Sequence, residues 1–226
     1  MLEFLKYDNL TSNRIVKISG VACIIACVGD FAVMFILGSY FTGYSQMKNT
    51  MSSLGASISP VSDQMSAWWI VAGLLFIFYG IGVYFAFRSQ GKASATASWL
   101  IAVYGAGEGI GSGAFKANHH LGGVLTSSAV IHDVLGGIGI VAILVLPLVM
   151  KKVIADAEFP FFHKVSNVVF IMGIFFLILF SFRISNDKSN FLSSYQGLWQ
   201  RLMMLNSYIY LIAIAFFMFR KPARAA

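Results

Sequence analysis

Charge is what this chain has least of. Only 11% of its 226 residues are charged, against 58% hydrophobic, and its mean hydropathy of +0.78 excludes a soluble globular domain. Cysteine is nearly missing as well. Cys23 and Cys27, four apart on one apolar run, exclude a disulfide framework and read as small packing residues. No HExxH or HxxxH pair sets two imidazoles on one helix face, and His119 and His120 are adjacent and diverge, so no metal site is expected and no cofactor is indicated. A bis-histidine haem is a weaker reading still, because His132 has no obvious mate at its depth, His163 falling on the opposite side, and the cofactor is left unknown. The pI near 9.5 comes without a basic and aromatic groove pattern, so nucleic acid is not an expected partner. No internal repeat points to an inverted-repeat transporter. No connection is long enough to fold alone, which leaves one transmembrane domain over residues 1–226.

What the chain does have is long apolar runs, near residues 16–38, 66–88, 96–116, 124–150, 162–183 and 201–219. About 20 helical residues cross a hydrocarbon core of about 30 Å, so the expected fold class is all-α, a polytopic six-helix transmembrane bundle whose first partner is the lipid bilayer. The first run, Ile18 to Leu37, is too long for the core of a cleavable signal. Eleven basic residues, among them Arg14, Lys17, Arg88, Lys92, Lys151, Lys152, Lys164 and Arg220, fall on one side. Five fall on the other: Lys48, Lys116, Arg183, Lys188 and Arg201. That bias predicts both termini in the cytoplasm. The long outer connection, Ser39 to Met65, has room for a surface helix with Met47, Met51 and Leu54 on its apolar side. Trp68, Trp69, Trp99 and Trp199 read as interface anchors. Gly105, Gly109 and Gly113, with Gly107 and Gly111 on a neighbouring face, predict a close approach of the third span to the fourth, which carries Gly136, Gly137 and Gly139.

Ionisable residues inside such spans are costly and mark functional sites by default. Asp30, Glu108 and His132 each lie eight residues from the outer end of their span, which at 1.5 Å per residue puts all three roughly 12 Å below the outer surface. A shared, outward-facing polar pocket between spans one, three, four and six follows. Glu108 shares its face with Tyr104 and Ser112, and His132 with Ser128 and Gly136, whereas Asp133 points about 100° away from His132. A histidine beside carboxylates can act as a general base, and Ser52 is a candidate nucleophile if its loop reaches that histidine. Asn49 with Ser52 reads equally well as a polar helix cap. The competing reading is a satisfied polar network without chemistry, the acids paired to Arg183, Arg201 or the backbone. Arg183 and Arg201 bracket the last outer connection, where an arginine fork suits a phosphate or carboxylate.

The run Tyr44-Ser45, then Asn49 to Ala56 and Pro60, resembles a signature of a prokaryotic six-span membrane family known as domain of unknown function 998. Gly109 to Phe115, Ile131-His132-Asp133 with Gly136, and Gly197-Leu198-Trp199-Gln200-Arg201 are similar to further elements of that family, in the same order. The resemblance implies the six-span topology and singles out Asn49, Ser52, His132 and Arg201. Glu108 and Asp30 rest on the depth argument alone. The expected function is a polar pocket that binds or hydrolyses a lipid-like ligand, with His132, Glu108 and Ser52 as catalytic candidates and Asn49, Arg201, Asp133 and Asp30 as ligand contacts. A small transporter or proton-coupled carrier, and an accessory subunit packing through its glycine faces, are the alternatives.

Overall fold

In the computed structural model, residues 2–118, 126–155, 159–182 and 190–220 are described, with side chains from residue 12 onward. His119, His120, Arg183 and Lys188, named above, lie outside them. All secondary structure among the described residues is helical: α1 (Leu2–Ser39), α2 (Ser62–Phe87), α3 (Lys92–Tyr104), α4 (Ser127–Val153), α5 (Pro160–Ser181) and α6 (Gln196–Arg220), with shorter turns between. Five segments are long and apolar enough to cross a membrane: Ser12–Ser39, Ser62–Gln90, Ser127–Val153, Pro160–Ser181 and Gln196–Arg220. The third expected span differs in kind. α3 passes at Gly105 into a π-helix, Gly105–Gly111, and then a last α turn, Ser112–Ala114.

Local chemistry sets the helix ends. The Thr126 hydroxyl accepts from the Ala129 N–H at 3.1 Å and caps α4. Pro160 opens α5, where its missing N–H costs nothing. Gly91, at φ +54°, makes the tight reversal between α2 and α3 that a side chain would strain. Lys151 and Lys152 close α4 and Arg220 closes α6, each a cation at a negative helix end.

The helices form a ring in chain order, each packed on the next, with α6 closing against α1. Large apolar side chains cover the outside: Ile18, Val21, Ile25 and Val28 on α1, and Ile171, Phe175 and Ile178 on α5, are all exposed. Their spacing of three and four residues marks a continuous outward stripe suited to lipid.

The glycines of α3 do more than the sequence suggested. Gly107 and Gly111 meet α4 at Leu135 and Gly139, as expected of a close approach, but Gly105, Gly109 and Gly113 face α2 instead, against Gly73 and the Ser66 carbonyl. A Cβ on Gly105 would lie 2.5 Å from the Gly73 oxygen, so the backbones of α2 and α3 touch. The helix is thus pinned on both flanks along its π segment.

The long connection overturns the surface-helix expectation. Its helical part is a short 3-10 turn, Met51–Gly55, folded over the end of the ring, with Leu54 fully buried and Met51 nearly so. Only Met47 stays exposed. The turn is held inward by hydrogen bonds to α6: the Gln200 side chain accepts from the Met51 N–H at 2.7 Å, and the Met47 carbonyl accepts from the Leu198 N–H at 2.9 Å. Of the four tryptophans, Trp69 is buried and Trp68 hydrogen-bonds inward, whereas Trp99 is 72% exposed as an anchor would be.

Candidate functional site

Beneath the 3-10 turn, inside the ring, lies a cavity of about 200 Å³. All six helical strands of the ring and the turn contribute to its wall. Five residues singled out from sequence are on it: Asp30 from α1, Ser52 from the turn, Glu108 from the π segment, and His132 and Asp133 from α4. The 100° that separates His132 from Asp133 on α4 therefore sends them to different parts of one wall rather than to different neighbours.

Asp30 is 3% exposed and well supplied with donors. Trp68 Nε1–H donates to Oδ1 at 3.0 Å and the Tyr208 hydroxyl to Oδ2 at 2.8 Å. The Tyr104 and Tyr208 hydroxyls are 2.9 Å apart. Because Tyr208 has a single proton and gives it to Asp30, Tyr104 is the donor in that pair. A line of hydrogen bonds thus runs from α1 through α6 to α3, ending one helical turn from Glu108.

His132 is turned by the end of α3. Its Nδ1 lies 2.9 Å from the Phe115 carbonyl oxygen, which can only accept, so Nδ1 carries a proton and the ring is oriented by that bond. Trp69 stands beside the ring, with centroids 6.4 Å apart. Glu108 lies against α4: a Cβ added to Gly136 would meet Glu108 Oε2 at 2.6 Å, and one added to Gly139 would meet the Glu108 nitrogen at 2.7 Å. Two glycines of α4 therefore make room for this carboxylate. Its position inside a π-helix is itself notable, since that geometry is costly and often retained at functional sites. Beside it the Ser112 hydroxyl faces the cavity, buried, with no hydrogen-bond partner among the described residues. Ser52 Oγ is 3.0 Å from Thr50 Oγ1, so its side chain is shared between the wall and its own turn.

Asn49 and Arg201 are elsewhere. They belong to a clasp between the long connection and α6. Arg201 is only 6% exposed, and its Nε, Nη1 and Nη2 groups all donate to protein acceptors. Those acceptors are the Gln46 side-chain oxygen, the Asn49 and Gly197 carbonyls and the Tyr44 hydroxyl, at 2.6 to 3.1 Å. The Asn49 side chain in turn accepts from the Ser45 N–H at 2.8 Å. Burial pushes the Tyr44 phenol above its ordinary range, against the pull of the Arg201 guanidinium, so it stays protonated and donates to the Thr50 carbonyl at 3.1 Å. The clasp fixes the 3-10 turn, and through it the cavity roof.

The cavity reaches the outer face of the ring between α4 and α5. Gly137, Val141 and Ser181 belong to its wall and are exposed, Val141 at 56%. A Cβ on Gly137 would meet nothing within 4 Å. Farther along, α4 and α5 close, where a Cβ on Gly173 would lie 2.5 Å from Leu144 Cδ2. The two helices thus touch at Leu144 and leave a side opening toward the loop end.

Sequence reasoning missed Tyr208 and Trp68 as Asp30's partners. Tyr208 lies seven residues after Arg201, two turns along the same buried face of α6, and that periodicity was the available signal. Trp68 carried none, since an anchoring tryptophan and a donating one look alike in sequence.

No curated protein and no solved structure matches the chain. A family model does, over residues 24–216, which takes in every wall residue named above as well as the Arg201 clasp. That model is described as "Protein of unknown function (DUF998)", and this chain, with five described helices long and apolar enough to cross a membrane, belongs to that family.

Proposed function

We propose that this is a six-span membrane protein that admits the polar head of a lipid-like molecule sideways, between α4 and α5, into the cavity under the 3-10 turn. The carrying observation is the side opening itself: a wall bearing Asp30, Glu108, His132 and Asp133 runs out to exposed Gly137, Val141 and Ser181 on an apolar outer surface. A ligand entering there keeps its tail in lipid while its head reaches polar groups. The sixth crossing is α3 with its π segment and closing turn, of 13, 7 and 3 residues, about enough to span the hydrocarbon core. Arg14, Lys17, Arg88, Lys92, Lys151, Lys152, Lys164 and Arg220 sit at the end away from the cavity, which supports cytoplasmic termini and an outward-facing site.

The same wall carries groups suited to hydrolysis. His132 is the candidate base, Glu108 is a carboxylate that could share a proton, and Ser52 presents a hydroxyl. The line from Asp30 through Tyr208 to Tyr104 gives a proton-coupled carrier some support as a second reading. An accessory role has less, because both glycine faces of α3 are covered by α2 and α4.

The test uses the protein in nanodiscs with a phospholipid bearing a photoreactive diazirine in its head group. Peptides containing Ser52, Glu108 and Asp133 should be labelled in the wild type. Gly137→Trp, which plugs the opening at a place with free space, should leave only outer-surface labelling. Equal labelling of all lipid-facing helices, unchanged in Gly137→Trp, would overturn the binding site. If His132→Ala leaves turnover of ester-bearing amphiphiles unaltered, the hydrolytic role is lost and binding stands.

A further inference from the structure

Three serines are on the cavity wall, and their hydroxyls are used differently. Ser52 Oγ is 3.0 Å from Thr50 Oγ1, within its own turn. Ser181 donates to the Leu177 carbonyl, four residues back, at 2.8 Å. Elsewhere in the bundle Ser166 and Ser207 turn back in the same way, on the Phe162 and Met203 carbonyls. That is the ordinary course for a serine in an apolar helix, where the carbonyl one turn back is the nearest partner. Ser112 does not follow it. The residue is 4% exposed and on the wall, and its hydroxyl has no hydrogen-bond partner among the described residues. The π segment accounts for the difference. The Ser112 N–H donates to the Gly107 carbonyl, five residues back, and in that wider turn the hydroxyl is carried off the carbonyl that the other serines use.

A buried hydroxyl is rarely left unpaired, because its desolvation is then uncompensated. For Ser112 the partner has to come from the cavity. A Cβ on Gly136 would lie 2.6 Å from Glu108 Oε2 and 3.3 Å from Ser112 Oγ, so glycine at this position keeps both oxygens clear on the α4 side. No hydrogen bond joins the two. Oxygens that border one point in this way are within reach of a single guest atom, each hydrogen bond being about 2.8 Å long. That atom has to pair with a serine hydroxyl on one side and a carboxyl oxygen on the other. A carboxyl oxygen takes more than one hydrogen bond, so this holds whatever else Glu108 touches. A hydroxyl fits both sides, since it donates and accepts, and it does so whatever charge the rest of the wall carries. Resting on the side-entry reading above, we infer that the guest's head bears an uncharged hydroxyl, seated on Ser112 Oγ between α3 and α4. Ser112 thereby selects alcohol-bearing amphiphiles over molecules of the same length that lack the hydroxyl.

The experiment measures thermal stability of the full chain in phosphatidylcholine nanodiscs containing either 1-O-dodecylglycerol or dodecyl propyl ether, the same skeleton without its two hydroxyls. Neither probe has an ester, so the result is independent of any hydrolysis. Dodecylglycerol at ten times its half-saturating mole fraction should raise Tm by about 3 °C, through binding to the folded state alone. The wild type should prefer it over the propyl ether about tenfold. In Ser112→Ala the preference should fall to about twofold or less, and Ser112→Cys, which keeps the volume but donates only weakly, should behave in the same way. Gly137→Trp should abolish binding of both probes. An undiminished preference in both Ser112 variants would overturn the seat on Ser112 and leave side entry intact. Equal binding of the two probes by the wild type, blocked by Gly137→Trp, would overturn the hydroxyl and make water the partner of Ser112. No shift with either probe, or shifts that Gly137→Trp leaves unchanged, would overturn side entry and this inference with it.

Discussion

Arg201 and Glu108 both sit in the loop-end half of the ring, yet their surroundings differ in kind. Around Arg201 every donor has a protein acceptor, the geometry is convergent, and the result is a joint between the long connection and α6. Around Glu108 the backbone is a π-helix, two glycines of α4 make room, and the buried Ser112 hydroxyl nearby has no partner among the described residues. Ionisable residues inside apolar segments are expensive in both cases. The joint offsets that cost within the protein. At the cavity the Ser112 hydroxyl has no partner among the described residues, and on the proposed reading that is what sets a binding wall apart from a structural network.

The largest effect should come from breaking the joint. Arg201→Ala leaves several buried acceptors without donors, and it is expected to destabilise the protein by about 3 kcal/mol or more, read as loss of folded protein in mixed-micelle denaturation. Arg201→Lys should recover only part of this, since an ammonium cannot reproduce the fork. Tyr208→Phe, which removes one donor to Asp30 and the acceptor of Tyr104, should cost about 1–3 kcal/mol by the same assay. Smaller again is Ser112→Ala. If the hydroxyl serves a guest and not the fold, the empty protein should change by less than about 1 kcal/mol, while guest binding weakens. A large loss of stability would move Ser112 into the structural class. The smallest effect on stability is expected of Gly137→Trp, within about 0.5 kcal/mol, because the new side chain enters open space. A marked drop in Tm there would mean that the opening is closed in the folded state.

Much of the helix framework could be read from hydropathy alone. The expected start of the second run at 66 and the observed Ser62 differ by one turn, and the last run, expected from 201, begins at Gln196. The first helix extends back to Leu2 because its polar N-terminal turns carry no apolar signal for a span yet remain helical. The level shared by Asp30, Glu108 and His132 follows from helix rise, and all three are on the cavity wall. Two things were beyond the sequence. The π register of Gly105–Gly111 is a choice of backbone hydrogen bonds, and hydropathy does not see it. The burial of Met51–Gly55 depends on partners some 150 residues away, Gln200 and Arg201, so a locally amphipathic stretch was read as lying on lipid. The same long-range contacts explain why Arg201 and Asn49 looked like ligand contacts: their polarity and position fit both roles.

The clasp has a consequence for how the protein would meet its guest. Since Tyr44, Gln46 and Asn49 are tied to α6, the roof above the cavity is fastened, and on the proposed reading the gap beside Gly137 is the door. Molecules arriving by that door come from a two-dimensional reservoir already enriched in them by partitioning. Occupancy would then follow mole fraction in the bilayer, and dose-response curves expressed per volume of buffer would shift with the amount of lipid in the tube.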